Sequence, residues 1–74
     1  MGRSRVLNTK KLYEKLRHAG FVFDRNAKGS HEIWWNLTTR KRTTIPNHPG
    51  DLPEGILRAV LKQADIQVEE FLKL

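Results

Sequence analysis

Apolar residues recur along the chain with two different periods, and the change of period separates helical from extended segments. Near the amino terminus, three of them recur at spacings of four and three, as on one face of a helix: Leu12, Leu16 and Ala19. This spacing predicts a helix from about Lys10 to His18. Asn8 or Thr9 can accept hydrogen bonds from its first turn, and Gly20 supplies the left-handed residue that ends many helices.

The following segment changes to short runs rich in aromatic and β-branched residues, which favour strands. The runs predict three strands: Phe21–Phe23, His31–Leu37 and Arg42–Ile45. Turns are predicted at Asn26–Gly29 and Thr38–Lys41, and Pro46 ends the third strand. Strands joined by such short connections form an antiparallel meander.

A second helical pattern follows the third strand. Its apolar face is made of four residues: Ile56, Leu57, Val60 and Leu61. Asp51 and Glu54 match a capping box, in which Asp51 accepts from first-turn amides and Glu54 reaches back. The helix is predicted to extend to about Gln63, and a short third helix from Gln67 to Leu72.

These elements predict one α+β domain over residues 1–74, with the order α-β-β-β-α and a short carboxyl-terminal helix. Both main helices are expected on one face of the three-stranded antiparallel sheet, which leaves the other face open. The phase of the second strand is ambiguous. Strict alternation places His31 on the helix-covered face with Ile33, unless a bulge after Gly29 or the strand's first position frees it. Trp34 and Trp35 must point to opposite faces.

The charge balance indicates an anionic partner. Fourteen Lys and Arg residues against eight Asp and Glu give a formal net charge of +6 and a pI near 10.2. Such a charge is most often matched by nucleic acid, and an acidic protein fits it as well. There is no cysteine, no apolar stretch long enough to span a bilayer and no apolar signal region after the basic amino terminus. A cytoplasmic location without a membrane partner is expected.

His31 is the candidate catalytic residue, because an imidazole can gain or lose a proton near neutral pH. RNA cleavage by the ribose 2′-hydroxyl needs one proton removed, one proton delivered and cations on the phosphate. Lys28 and Arg25 precede His31 closely, and Lys41 and Arg42 belong to the adjacent hairpin. The alternative is that His31 is a surface histidine after a hairpin turn, with no catalytic role.

Three further residues are candidates for this site. Gly29 can supply a positive φ or a close approach to phosphate. Ser30 is either a turn former or a phosphate donor. His48 is either a loop histidine or the second proton-transfer group. The histidines lack the spacing of a metal site, so neither a metal nor a cofactor is expected.

Several motifs in order resemble the HicA toxin family of bacterial and archaeal toxin–antitoxin systems, over about residues 9–72. They are Ala19-Gly20-Phe21, Lys28-Gly29-Ser30-His31, Thr44-Ile45-Pro46-Asn47-His48 and the segment from Leu57 to Ala64. The resemblance implies a fold like double-stranded-RNA-binding domains. It also implies a type II system toxin, a metal-independent endoribonuclease that cleaves mRNA with the histidine matching His31.

The resemblance also implies a partner, a HicB antitoxin that covers the active site. The chain is then expected as a monomer alone and as a hetero-oligomer with the antitoxin. Three residues depart from the family pattern. Ile56 stands where threonine is frequent, Asp65 where glycine is usual, and Glu32 where a second histidine often follows the first. Glu32 would either add negative charge near the phosphate or orient His31.

Two further functions remain open at this point. One is a non-catalytic double-stranded-RNA-binding module with the same fold, which binds with a steep salt dependence and does not cut. Such domains use basic residues near a helix start, whereas Asp51 and Glu54 occupy the start of the second helix. The other is an adaptor whose basic face docks an acidic protein.

Overall fold

The helices and the three strands of the main sheet follow one another along the chain in the predicted order. The structure, a computed structural model, describes residues 7–47 and 51–74. The elements are β1 (Leu7–Asn8), α1 (Thr9–His18), β2 (Phe21–Ala27), β3 (His31–Asn36), β4 (Arg42–Pro46), β5 (Asp51–Leu52), α2 (Glu54–Ala64) and α3 (Val68–Leu72). Strands β2, β3 and β4 form an antiparallel sheet in that order. The predicted α+β fold is confirmed.

Local sequence signals fix both ends of α1. The side-chain oxygen Oδ1 of Asn8 accepts a hydrogen bond from the backbone N–H of Lys11 at 2.8 Å, which satisfies one first-turn amide. After the helix, Gly20 has a φ of +101° and turns the chain into β2. A Cβ at this position would also lie 3.0 Å from Nδ2 of Asn36. Both features therefore favour glycine.

Both main helices pack on the same face of the sheet. The buried apolar side chains come from every layer of this arrangement: Leu12, Leu16, Phe21, Trp34, Ile45, Leu52, Val60, Leu61, Ala64 and Phe71. In β3 the buried apolar residue is Trp34, with Thr43 of β4 opposite it in the ladder. The strands thus contribute one parity of residues to the core, as a half-covered antiparallel sheet requires.

The predicted capping box at the second helix is wrong. Asp51 lies in β5 and pairs with Asn8 of β1, so its backbone is already used in a two-residue ladder. Helix α2 begins at Glu54 after Pro53, and no side chain caps it. The Glu54 carboxylate instead accepts from the guanidinium of Arg58 one turn later, at 3.2 Å. Strands β1 and β5 have two residues each, too few to show an alternation of apolar and polar residues, so the sequence does not predict them.

Strand β2 is longer than its apolar alternation predicts. Pairing with β3 continues past Phe23 through an irregularity before Arg25 and ends at the pair Ala27–His31. A bulge of this kind shifts the phase of one strand while its neighbour stays regular. Because of this shift, the second half of β2 does not continue the alternation of apolar and polar residues that predicts a strand. The turn to β3 lies at residues 28–30 instead of 26–29.

Candidate functional site on the open sheet face

One face of the sheet carries no buried side chain among its paired positions. We call it the open face and define it by the ladder partners that share it: Val22, Arg25 and Ala27 of β2; His31, Ile33 and Trp35 of β3; Arg42, Thr44 and Pro46 of β4. The opposite parity holds Phe21, Trp34 and Ile45, which are in the core. The open face is therefore the surface on which a ligand can meet the sheet.

His31 is exposed on this face, at the first residue of the middle strand, between Ala27 and Pro46. It shares the face with Ile33, as strict alternation predicts. The expectation that Ile33 marks the covered side is wrong, because Trp34 supplies the core contact and Ile33 is only half-buried. No bulge after Gly29 is needed to bring the imidazole to solvent.

The turn before β3 holds Gly29 directly beside the imidazole. Gly29 has a φ of +71°, a conformation that side chains rarely adopt. A Cβ at Gly29 would lie 3.6 Å from Nδ1 of His31. The backbone carbonyl of Ser30 accepts a hydrogen bond from the N–H of Asn47, which ties the turn to the end of β4. Among the described residues, no side chain hydrogen-bonds the imidazole of His31.

The predicted phosphate-binding cations divide between the two ends of β3. Lys28 is exposed in the turn with Gly29, and Arg25 lies on the open face opposite Ile33. Arg25 makes an exposed ion pair with Asp24 at 3.2 Å. Arg42 and Lys41 lie at the other end, where Arg42 is opposite Trp35.

The Lys41 ammonium is 4.0 Å from the carboxylate of Asp65, so it is directed toward α2 rather than toward His31. Trp35 is four positions along β3 from His31, about 13 Å at 3.3 Å per residue. The structure therefore brings Lys28, Gly29, Ser30 and Arg25 together around His31. It sets Arg42 and Lys41 apart.

The other two histidines do not complete this site in the described structure. His48 lies outside the described residues. His18 is the last residue of α1 and lines a cavity of about 320 Å³ together with Asn36 and Glu70, at the other end of β3. His31 is not among the residues that line that cavity.

Glu32 faces away from the site, into the helix-covered side. Its Oε1 accepts a hydrogen bond from the indole Nε1 of Trp34 at 2.9 Å. Burial raises the pKa of the neighbouring Tyr13 to about 12, and the charge of Glu32 and its hydrogen bond to the phenol act in the same direction. Glu32 therefore stabilises the core side of β3. Because its carboxylate accepts from Trp34, it does not orient His31, and that expectation is wrong. Its effect on the charge near the phosphate stays a prediction.

One feature of the open face, a contact between Arg42 and Trp35, has no signal in the sequence. The Arg42 guanidinium carbon lies 5.1 Å from the ring centroid of Trp35, within the range of a cation–π contact. Trp35 is half-buried, whereas Trp34 is 2% exposed. Sequence showed that the two indoles must face opposite ways, but only the ladder register shows which indole shares a face with His31.

Within residues 7–47 and 51–74, no helix is long and apolar enough to cross a bilayer. A search of curated proteins finds no match to the sequence. A family model, described as the HicA toxin of bacterial toxin–antitoxin systems, matches residues 9–66. The match spans α1, the whole sheet and α2, and it includes the turn that carries His31. The chain therefore belongs to the HicA toxin family of bacterial toxin–antitoxin systems.

Proposed function

We propose that this HicA toxin is an endoribonuclease that cleaves mRNA with His31 as a general acid or base, and thereby inhibits translation and growth. The observation that carries the proposal is the exposed imidazole of His31 on the open face, with Lys28 and Arg25 close to it in the ladder and the turn. Family membership supports the substrate class, since toxins of this family are generally mRNA-cleaving.

The chemistry needs only groups of the kind found around His31. The ribose 2′-oxygen loses its proton and attacks the adjacent phosphorus, and the bond from phosphorus to the 5′-oxygen breaks. That leaving oxygen takes up a proton. The products are a 2′,3′-cyclic phosphate and a free 5′-hydroxyl. His31 removes the first proton or delivers the second, and Lys28 and Arg25 balance the charge that develops on the phosphate.

Gly29 and Ser30 have a supporting part in this proposal. The missing side chain at Gly29 leaves room for the RNA backbone next to the imidazole, since a Cβ there would contact Nδ1 of His31. Ser30 is held by the hydrogen bond from Asn47. The second proton-transfer group is proposed to be His48, which follows Asn47 in the sequence.

HicA toxins pair with an antitoxin, and we propose that a HicB-like antitoxin inhibits this chain by covering the open face. In this proposal the toxin is a monomer alone and a hetero-oligomer with its antitoxin. An antitoxin seated over His31, Arg25 and Trp35 would exclude RNA from the imidazole. Its contact surface would then be acidic, to match the arginines of the face.

An RNA cleavage assay with EDTA tests the catalytic proposal. Wild type should cut a mixed-sequence mRNA in EDTA and leave cyclic phosphate ends. His31→Ala should cut about 10² to 10⁴ times more slowly, the usual contribution of a general acid or base. Its RNA affinity and unfolding midpoint should stay close to wild type, because the side chain is exposed. His18→Ala removes an exposed histidine at the end of α1 and is the matched control.

Two outcomes would contradict the proposal. Cleavage by His31→Ala at the wild-type rate would remove the histidine from the mechanism. Tight binding to RNA duplexes with no cleavage by either protein would favour the non-catalytic double-stranded-RNA-binding module. That second reading has less support, because the first turn of α2 carries Glu54 rather than a basic residue.

A further inference from the structure

Trp35 occupies an unusual position for a tryptophan, on a sheet face that no helix of the described structure covers, near the end of β3 away from His31. It lies on the middle strand, with Val22 opposite on one side and Arg42 on the other. Val22 is 45% exposed, and Ile33, the next residue of β3 on this face, is half-buried. The indole is therefore part of an apolar strip that the fold buries only in part.

The paired positions of this face carry charges of one sign, and the nearby carboxylate of Asp24, at the irregularity of β2, is paired with Arg25 at 3.2 Å. Arg25 and Arg42 are the ionisable side chains of the open face besides His31, and none of its paired positions carries a carboxylate. Glu32, the acidic residue of β3, points to the other side and bonds Trp34. An aromatic platform between cations fits a ligand that has flat apolar rings joined by anionic links. Single-stranded nucleic acid has this chemistry.

The contact between Trp35 and Arg42 strengthens this match. The guanidinium carbon lies over the Trp35 ring, 5.1 Å from its centroid, so a base reaches the indole face when Arg42 turns toward the phosphate. A base can stack on the indole while Arg42 reaches its phosphate or stacks at its edge. Trp35 lies about 13 Å along β3 from His31, roughly four stacked nucleotides at 3.4 Å each, or fewer extended ones. Arg25, opposite Ile33, lies between the two ends.

We propose that Trp35, together with Arg42, is a stacking platform for an RNA base a few nucleotides from the cleaved bond, so that the open face binds RNA as a single strand. The proposal rests on the proposed function for its substrate class. It adds a positioning residue remote from the imidazole and a requirement for unpaired bases, since a base inside a duplex has no free face to stack on Trp35.

The test uses the full chain with His31→Ala, so that the RNA stays intact, and a labelled single-stranded RNA of about 12 nucleotides. Adding Trp35→Ala should weaken binding about tenfold, within the range for loss of one base–aromatic stack. Trp35→Phe keeps a ring and should bind nearly as well as the parent. Leu72→Ala removes an exposed apolar side chain from α3 and should leave the affinity unchanged.

Tryptophan emission gives a second readout that does not depend on a disruptive variant. The chain has two tryptophans, and Trp34 is buried against Tyr13. The single strand should quench the emission of the His31→Ala parent, and Trp35→Phe should lose this quenching while it still binds. A duplex of the same sequence should quench little. Circular dichroism before titration confirms that each variant is folded.

The results separate this inference from the proposed function. Unchanged RNA affinity in Trp35→Ala, or equal quenching by the duplex, would overturn the stacking platform even where wild type cuts RNA through His31. Loss of antitoxin binding with unchanged RNA affinity would overturn it too, and would assign Trp35 to the protein interface. RNA binding that depends on Trp35 without any cleavage by wild type would support the platform and contradict the nuclease.

Discussion

Trp34 shows how a single residue can fix the orientation of the strand that carries His31. Its ring stacks on Tyr13 with centroids 4.9 Å apart and meets Phe23 edge-on at 6.3 Å. The guanidinium of Arg17 lies 5.2 Å from the ring centroid, and the indole N–H donates to Glu32. Because these contacts hold Trp34 on the covered side, the next residue on either side must face the open side.

The Tyr13 phenol in this cluster predicts a loss of stability in alkali. Its pKa of about 12 lies above the ordinary value near 10. The folded protein therefore holds the phenol proton more tightly than the unfolded chain, and this stabilisation is complete below about pH 10. It is lost as the pH rises from about 10 to about 12. Tyr13→Phe keeps the ring and removes the titrating group, so its stability should fall less steeply over that interval.

Urea unfolding followed by circular dichroism, from about pH 9 to about pH 12, measures this difference. Lysine deprotonation affects both proteins, so the comparison isolates the phenol. Glu32→Gln removes the neighbouring charge and should reduce the difference without abolishing it, because burial is the larger cause. Parallel pH profiles for wild type and Tyr13→Phe would show that the phenol does not titrate differently on folding.

At the residue scale, sequence could name the candidate histidine but not its side of the sheet. Trp34 and Trp35 are chemically identical, and a single strand carries no information about which parity is buried. The choice depends on the residues that pair with β3, since Phe21, Thr43 and Ile45 present their side chains on the side of Trp34. Register is a property of several strands together.

At the element scale, the helices and the meander follow from local signals, and the errors occur where backbone pairing overrides them. Asn8 caps α1 as the sequence predicts, because its side chain acts within one turn. Asp51 does not cap α2, because its backbone pairs with Asn8 in a ladder 43 residues away along the chain. Capping boxes can be read from sequence only when no distant segment competes for the same backbone.

The hairpin between β3 and β4 depends on one buried amide. Asn36 is 4% exposed, and its Oδ1 accepts from the backbone N–H groups of Thr38 at 2.8 Å and Thr39 at 3.1 Å. Its Nδ2 donates to the carbonyl of Ala19 at 3.0 Å, which joins this hairpin to the end of α1. Apolar periodicity marks position 36 only as a residue near the end of a strand, so it carries no signal for this role.

Asn36→Ala should therefore lower the free energy of unfolding by about 2 kcal/mol, the sum expected for two or three net hydrogen bonds of about 1 kcal/mol each. Asn26→Ala, which changes an exposed asparagine of β2, should stay within about 0.5 kcal/mol of wild type. Urea denaturation at neutral pH measures both values. Equal stability of the two variants would show that water or neighbouring groups replace the amide of Asn36 without loss.

At the scale of the whole molecule, the order of elements predicted the fold, whereas the site required the assembled sheet. Lys28, Gly29, Ser30 and His31 are neighbours in sequence and could be grouped from it. Arg25 and Arg42 join them on one face only through the ladders on either side of β3. The same ladders separate Arg42 from His31 by the length of the strand. The sequence grouped Lys41 and Arg42 with His31, and their part in binding phosphate stays a prediction.

The net charge of +6 makes RNA binding sensitive to salt, and the fold predicts which cations are responsible. Each phosphate neutralised on a single strand contributes about −0.7 to the slope of log affinity against log salt concentration. In the His31→Ala background, Arg25→Ala and Lys28→Ala should each make the slope shallower by about that amount. Lys62→Ala changes an exposed lysine on α2, behind the sheet, and should leave the slope unchanged. Filter binding at several salt concentrations gives the slopes. If Lys62→Ala flattens the slope as much as Arg25→Ala does, RNA binds diffusely over the basic surface rather than along the open face.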